Sequence, residues 1–202
     1  MSRDRAFFWR RVHSLSGLIP IGVFLLVHFG INYTAFYGEE VYNQAAGLMD
    51  QLPFKYALEL FVIFIPLLFH GIYGIFIARE AKMKMSVYSY EKNWYFYFQR
   101  LSGILVFIFI IWHVWTTRVQ VFFGAEVNFQ MVSELVANPF FLLFYIIGIT
   151  MATFHFSNGL RTMLITWGLT VSEHSQKAAK YGAIGVFVLL TGVGMVAIFA
   201  FV

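Results

Sequence analysis

Four histidines, His28, His70, His113 and His155, each interrupt a different long apolar run. The run around His70, Phe61 to Arg79, reads FVIFIPLLFHGIYGIFIAR and is otherwise nearly uniform hydrocarbon. An ionisable side chain in the middle of a membrane-length run is expensive, so such residues face a bundle interior and have a task there. An imidazole in that setting can hydrogen-bond a neighbouring helix, join a proton relay, or offer a lone pair to a metal. Relays ordinarily include carboxylates, and no Asp or Glu lies deep in any run; Glu59, at the mouth of the second, is the one candidate. His13 and His174 fall outside the runs and read as ordinary surface residues.

The elements that hold these side chains must be membrane helices. The chain of 202 residues is 60% hydrophobic, 20% aromatic and only 12% charged, whereas a soluble domain carries about 25% charged residues. A transmembrane helix needs about 20 apolar residues. Runs near 14–37, 54–79, 96–120, 139–167 and 181–202 satisfy this. The expected fold is therefore all-α, one membrane domain over 1–202 built as a bundle of five transmembrane helices. Between the first two spans, Val41, Ala45, Leu48 and Leu52 recur at helical spacing; between the third and fourth, Phe129, Val132 and Val136 do the same. Both segments predict short surface helices. The stretch TVSEHSQKAAK reads as a polar loop before the fifth span. The chain has no cysteine. That excludes disulfides, Cys-ligated zinc, iron–sulfur clusters on this chain and thioether-attached haem. The first apolar run is too long for a cleavable signal and lacks a small-residue cleavage site.

Charge sets the orientation. Of the 14 Lys and Arg, twelve fall on one side of this topology, including Arg10, Arg11, Arg79, Lys82, Lys84, Arg100 and Arg161; only Lys55 and Arg118 fall on the other. By the positive-inside rule the amino terminus is expected in the cytoplasm and the carboxyl terminus outside. Counting along each helix to its nearest inner cation then gives depth. His28 is 17 residues from Arg11, His113 is 13 from Arg100, His70 is 9 from Arg79 and His155 is 6 from Arg161. At about 1.5 Å per residue these are roughly 25, 20, 14 and 9 Å. An outer pair, His28 with His113, and an inner pair, His70 with His155, result. Each pair joins alternate spans, which lie diagonally in a four-helix arrangement.

Two imidazoles on opposite faces of a planar macrocycle make a six-coordinate b-type haem, suited to electron transfer because no axial position is left open. Zinc would need its ligands in one tetrahedron, whereas the two pairs differ in depth by about 11 Å. The spacing therefore predicts two non-covalent bis-histidine haems. Both inner histidines share one local pattern, Phe69-His70-x-x-x-Gly74 and Phe154-His155-x-x-x-Gly159. A glycine four residues on lies on the same helix face and leaves room for a porphyrin. The outer pair has its own echo: Ser16-Gly17 precedes His28 by eleven residues and Ser102-Gly103 precedes His113 by ten. Those glycines could ease helix contact near the inner surface. Arg10, Arg11, Ser14, Arg79, Arg100 and Arg161 ring the inner end as candidates for haem propionates, or as snorkelling cations that set topology.

With these residues in view, the chain resembles the cytochrome b membrane-anchor subunit of succinate:quinone oxidoreductases, in the form where one polypeptide carries two haems. It looks closest to the Bacillus-like form. The likeness runs through essentially the whole chain, including RRVHSLSGLIPIGVFLLVH, LPFKYALELF, IWHVWTTR, GAEVNF, FHFSNGL, TWGLTV and AIFAFV. The resemblance implies a bacterial cell-membrane location, and a flavoprotein and an iron–sulfur subunit docked on the cytoplasmic face, where succinate is oxidised. Electrons would then reach a membrane quinone, commonly menaquinone, through two b haems. It also implies His28 and His113 as outer-haem ligands and His70 and His155 as inner-haem ligands. Glu59 is the quinone-site candidate, because an acid near the outer haem could exchange protons with a quinone. No Gly-rich flavin fingerprint and no soluble domain occur, so the chain itself has no catalytic residues for succinate, and nucleic acid is not among the expected partners. Two other readings remain open from the residues: the cytochrome b subunit of another respiratory dehydrogenase, and a haem-free proton-coupled transporter.

Overall fold

A computed structural model describes residues 3–80 and 91–202. The inner loop expected around Lys82 and Lys84 lies largely outside the described residues. Among those residues every regular element is helical. Five helical segments are long and apolar enough to cross a membrane: Asp4–Tyr37, Lys55–Glu80, Asn93–Val121, Pro139–Thr166 and Glu173–Phe199.

The five expected spans are present, and their ends differ from expectation for local reasons. The first helix begins at Arg3, about three turns before the apolar run, with Asp4 in its first turn where the helix dipole favours an acid. The fifth begins at Glu173, inside the stretch expected as a loop. Ser172 caps it: its hydroxyl accepts from the Ser175 amide (3.1 Å), and the Ser175 hydroxyl accepts from the Ser172 amide (3.1 Å). That reciprocal pair satisfies two donors that a helix start otherwise leaves open.

Three spans are irregular, two of them beside a proline and the third at a pair of threonines. The first breaks at Ile19, before Pro20, because proline has no amide to donate one turn back. The second carries a π-helical stretch, Glu59–Phe64, just before Pro66; the widened turn accommodates a proline that cannot bond the Val62 carbonyl. The third breaks at Thr117. There the Thr117 hydroxyl donates to the His113 carbonyl (2.6 Å) and the Thr116 hydroxyl to that of Trp112 (2.9 Å), back-bonding of a kind that bends helices.

The first four spans form a ring in chain order, each packed on the next and the fourth on the first; the fifth lies outside the ring against the fourth and the first. Ion pairs mark the two ends. Arg10 with Glu80 (3.0 Å) and Lys180 with Glu91 join the start of the first span to the end of the second, and the third to the fifth. At the opposite end Arg118 binds Glu59, and Lys55 binds Asp50. The expected surface helices are there as well, Glu39–Asp50 and Phe129–Val136, joined where Asn43 Oδ1 accepts from the Phe129 amide (2.8 Å). They cap this second end. Tyr42, on the first of them, is buried edge-on to Phe201 at 5.0 Å, and burial raises its phenol above the ordinary tyrosine range.

The apolar core is off-centre. Phe29, Tyr42, Val136, Tyr145, Ile149, Leu190, Ile198 and Phe201 are buried together, between the fourth and fifth spans and the cap. The second span has no buried residue at all. Gly194 is the pinch point of the core, since a Cβ there would lie 2.6 Å from Ile149 Cγ2 and 3.2 Å from Phe29. Overpacking a dense site costs about 1–3 kcal/mol. Gly194→Ala should therefore lower the unfolding temperature of the detergent-solubilised protein. Gly192→Ala, where a Cβ meets open space, should leave it unchanged.

Candidate functional site

A cavity of about 2720 Å³ runs through the ring of four spans, and His28, His70, His113 and His155 all line it. Ordinary cofactor sites occupy about 300–1,000 Å³, so this space accommodates more than one group of that size. The histidines meet in twos across the diagonals. His28 and His113 have ring centroids 5.7 Å apart, and His70 and His155 6.1 Å apart. Among the described residues no three His, Cys, Asp or Glu converge as they would around a single metal ion.

Second partners orient the inner rings. Nδ1 of His70 lies 3.0 Å from the His13 carbonyl, and Nδ1 of His155 3.1 Å from the Gln99 carbonyl. A carbonyl only accepts, so each Nδ1 carries the proton and each Nε2 keeps its lone pair. That is the tautomer a metal-ligating histidine takes when its other nitrogen bonds a carbonyl. The close approach depends on glycine: a Cβ on Gly17 would overlap the His70 ring, and one on Gly103 would come within 2.9 Å of His155 Cε1. The outer rings are held differently. His113 Nδ1 is 3.1 Å from the Tyr145 hydroxyl. Asn32 donates to the His28 carbonyl (2.8 Å), with its amide nitrogen 3.4 Å from His28 Nε2.

His13 is not the surface residue expected. Because the first helix starts early, His13 sits one turn before Gly17 and faces the second span. Its ring stacks on His70 at 4.1 Å and 7°, and its buried Nε2 has no partner. His174 is exposed, as expected. A Cβ on Gly74 would lie 3.1 Å from His13 Nε2, and one on Gly159 3.3 Å from Gln99 Nε2.

The basic candidates separate by position. Arg10, Ser14, Arg100 and Arg161 line the cavity. Arg100 lies over the Phe96 ring at 3.2 Å, and its Nε is buried without a partner. Arg161 donates to Asn158 Oδ1 (3.2 Å). Arg11 lies between Phe7 and Trp167, 4.4 and 5.0 Å from their ring centroids, and Arg79 is exposed. Glu59 lines the cavity at the capped end, gripped by Arg118 through Nη2 (2.6 Å) and Nε (3.2 Å).

These residues fit a planar iron macrocycle. With metal–nitrogen bonds of about 2 Å, two imidazoles on opposite faces of one iron have centroids about 6 Å apart, close to both observed separations. The orphaned Arg100 donor suits a carboxylate. Several contributors escaped the sequence reading. Gln99, Asn158 and Asn32 were visible as amides within apolar runs, an expensive placement that could have flagged them. Tyr145 lies among other aromatics and gave no such signal.

Residues 77–194 match the family described as succinate dehydrogenase/fumarate reductase transmembrane subunit. The chain is also 50% identical to the succinate dehydrogenase cytochrome b558 subunit of Bacillus subtilis (strain 168), over 202 residues and the full length of both.

The Glu59–Arg118 grip sits at a membrane mouth with each side chain about one-fifth exposed, so stranding either charge should cost more than removing both. In a double-mutant cycle on thermal stability, Arg118→Gln should be partly rescued by adding Glu59→Gln. A coupling within about 0.5–3 kcal/mol is expected; additive losses would show that the pair is not coupled.

Proposed function

The chain belongs to the succinate dehydrogenase/fumarate reductase transmembrane-subunit family, and on that premise we propose that it is a di-haem electron conduit between a cytoplasmic iron–sulfur subunit and a membrane quinone, menaquinone in the first instance. As a family member with five membrane-length helices, it is a multi-pass protein of the bacterial cell membrane. It is the cytochrome b component of a complex whose succinate chemistry resides on other subunits. The observation that carries the di-haem reading is the diagonal pairing of four membrane-depth histidines along one cavity.

Haem b, when bound, would supply a one-electron iron couple suited to electron transfer. The remaining work belongs to the chain. His70 and His155 would hold the inner group and His28 and His113 the outer, each through a neutral imidazole. Arg10, Ser14, Arg100 and Arg161, on the cavity wall at the basic end, neutralise the inner propionates; Arg11 and Arg79 serve the surface charge there. That basic end faces the cytoplasm and the docked flavoprotein and iron–sulfur subunits, which leaves the amino terminus inside and the carboxyl terminus outside. Quinone reacts at the capped outer end. There Glu59, oriented by Arg118, exchanges protons with it.

A pyridine haemochrome assay on the purified complex should give two haems per chain, all extractable with acidified acetone. His70→Ala or His155→Ala should remove one b signal, His28→Ala or His113→Ala the other, and cross-pair doubles both. If His28 and His70 proved to be partners, the pairing would be wrong. Complete absence of b-type bands would return the reading to a haem-free transporter. Co-purification with a formate- or hydrogen-oxidising subunit would point to another dehydrogenase.

The direction of transfer has an electrical signature. An electron drawn from the inside towards an outer quinone site moves with the membrane potential, which contributes about 2.3 kcal/mol per 100 mV for a full crossing. Uncouplers should therefore slow succinate-to-quinone transfer in intact cells while leaving succinate oxidation by an artificial cytoplasmic acceptor unchanged. Equal sensitivity of the two activities would place the quinone inside.

A further inference from the structure

The two halves of the four-helix ring repeat at the level of single atoms. His13 and Gln99, Ser16 and Ser102, and Gly17 and Gly103 stand 86 residues apart; His70 and His155, and Gly74 and Gly159, stand 85 apart. In the first hairpin the Ser16 hydroxyl donates to the His13 carbonyl (2.9 Å), and the same oxygen takes Nδ1–H of His70 (3.0 Å). In the second, the Ser102 hydroxyl donates to the Gln99 carbonyl (3.1 Å), and that oxygen takes Nδ1–H of His155 (3.1 Å). Gly17 and Gly103 open the helix face on which each ring lies. Ser102 is 1% exposed and its hydroxyl is also 3.3 Å from His155 Nδ1.

Each inner histidine is thus seated on the preceding span by a three-part unit: a carbonyl, a serine three residues on, and a glycine after it. A serine bonding back to its own helix is common by itself. Here the same carbonyl carries a third, inter-helical load, and it does so twice. The outer histidines have no such unit. Their contacts come from Tyr145 and Asn32, which are not equivalent positions.

We infer that Ser16-Gly17 and Ser102-Gly103 are matched positioning elements for the inner ligands, which set the orientation of His70 and His155 and the strength of the hydrogen bond each donates. This rests on the inner-haem reading proposed above. A metal-bound imidazole gives more electron density to the iron when its other N–H bonds a carbonyl more strongly. The serine hydroxyl competes for that carbonyl; at Ser102, whose oxygen is also within reach of His155 Nδ1 (3.3 Å), the carbonyl is the nearer acceptor (3.1 Å). Removal of the hydroxyl strengthens the remaining N–H···O bond, favours Fe(III), and lowers the midpoint potential of the inner haem alone.

The test is an optical and EPR redox titration of both b haems in the complete membrane-bound complex. Ser16→Ala and Ser102→Ala should each shift the inner haem towards Fe(III) about threefold at fixed potential, about 28 mV at 59 mV per tenfold. Because the two sites mirror each other, the double variant should shift it further, with two haems retained and the outer signal unmoved. Gly17→Ala and Gly103→Ala should perturb or remove the inner signal selectively, whereas Gly185→Ala, in open space, should change neither. The glycine variants add bulk and can block assembly, so the serine variants decide. An unmoved inner midpoint in both, or an equal shift or loss of both haems, overturns the inference. Fewer than two b haems in the unmodified complex would instead overturn the reading on which it stands.

Discussion

An imidazole in the hydrocarbon has two ring nitrogens, and lipid satisfies neither. The structure is arranged around that constraint four times over. One nitrogen of each inner ring is spent on a backbone carbonyl of an adjacent helix, which leaves the other, with its lone pair, available to the cavity. The backbone can come that close only because the facing residue is glycine. Helix spacing, glycine placement and histidine tautomer are consequently one decision. Moving any of them would leave a polar group bare in a medium where bareness costs several kcal/mol.

Packing is distributed to suit. The dense, dry part of the protein lies between the fourth and fifth spans and the two cap helices, away from the ring's axis. The second span brings His70 to the cavity yet buries nothing of its own. In lipid, apolar surface gives helices no reason to associate, so that span is held by specific contacts: the ring of His70 on Gly17, Arg10 on Glu80, Arg118 on Glu59. Gly22 meets Phe156 across the first and fourth spans, and Gly71 meets Phe107 across the second and third. At both interfaces the glycine belongs to the first hairpin and the phenylalanine to the second.

Much of this was legible in the sequence because membranes simplify the code. Length and hydropathy marked the five spans, and the periodic Val41, Ala45, Leu48 and Phe129, Val132, Val136 marked the cap helices. Depth counting grouped the same histidines that the structure brings together in twos. What escaped depends on a neighbour. The polar opening segment hid a helix whose His13 is meaningful only once Gly17 is seen against His70. The π-helical turn at Glu59 follows from Pro66, a residue that lies past it. Tyr145 is one aromatic among many until its hydroxyl is found beside His113. Ser16-Gly17 and Ser102-Gly103 echo each other in sequence ahead of the outer histidines, yet their glycines face the inner ones on neighbouring helices.

The lopsided packing also bears on biosynthesis. The best-packed interface joins the fourth and fifth spans, so the bundle cannot set until both have left the ribosome. Until then the first hairpin sits in the bilayer with His28 and His70, and their diagonal mates have not yet been made. Both already have company. The carbonyl under His70 comes from His13 and the amide beside His28 from Asn32, each within the first hairpin. The second hairpin is as self-sufficient, with Gln99 for His155 and Tyr145 for His113. Each half therefore enters the membrane with its own imidazoles provided for, and can wait there, unassembled, without a stranded polar ring.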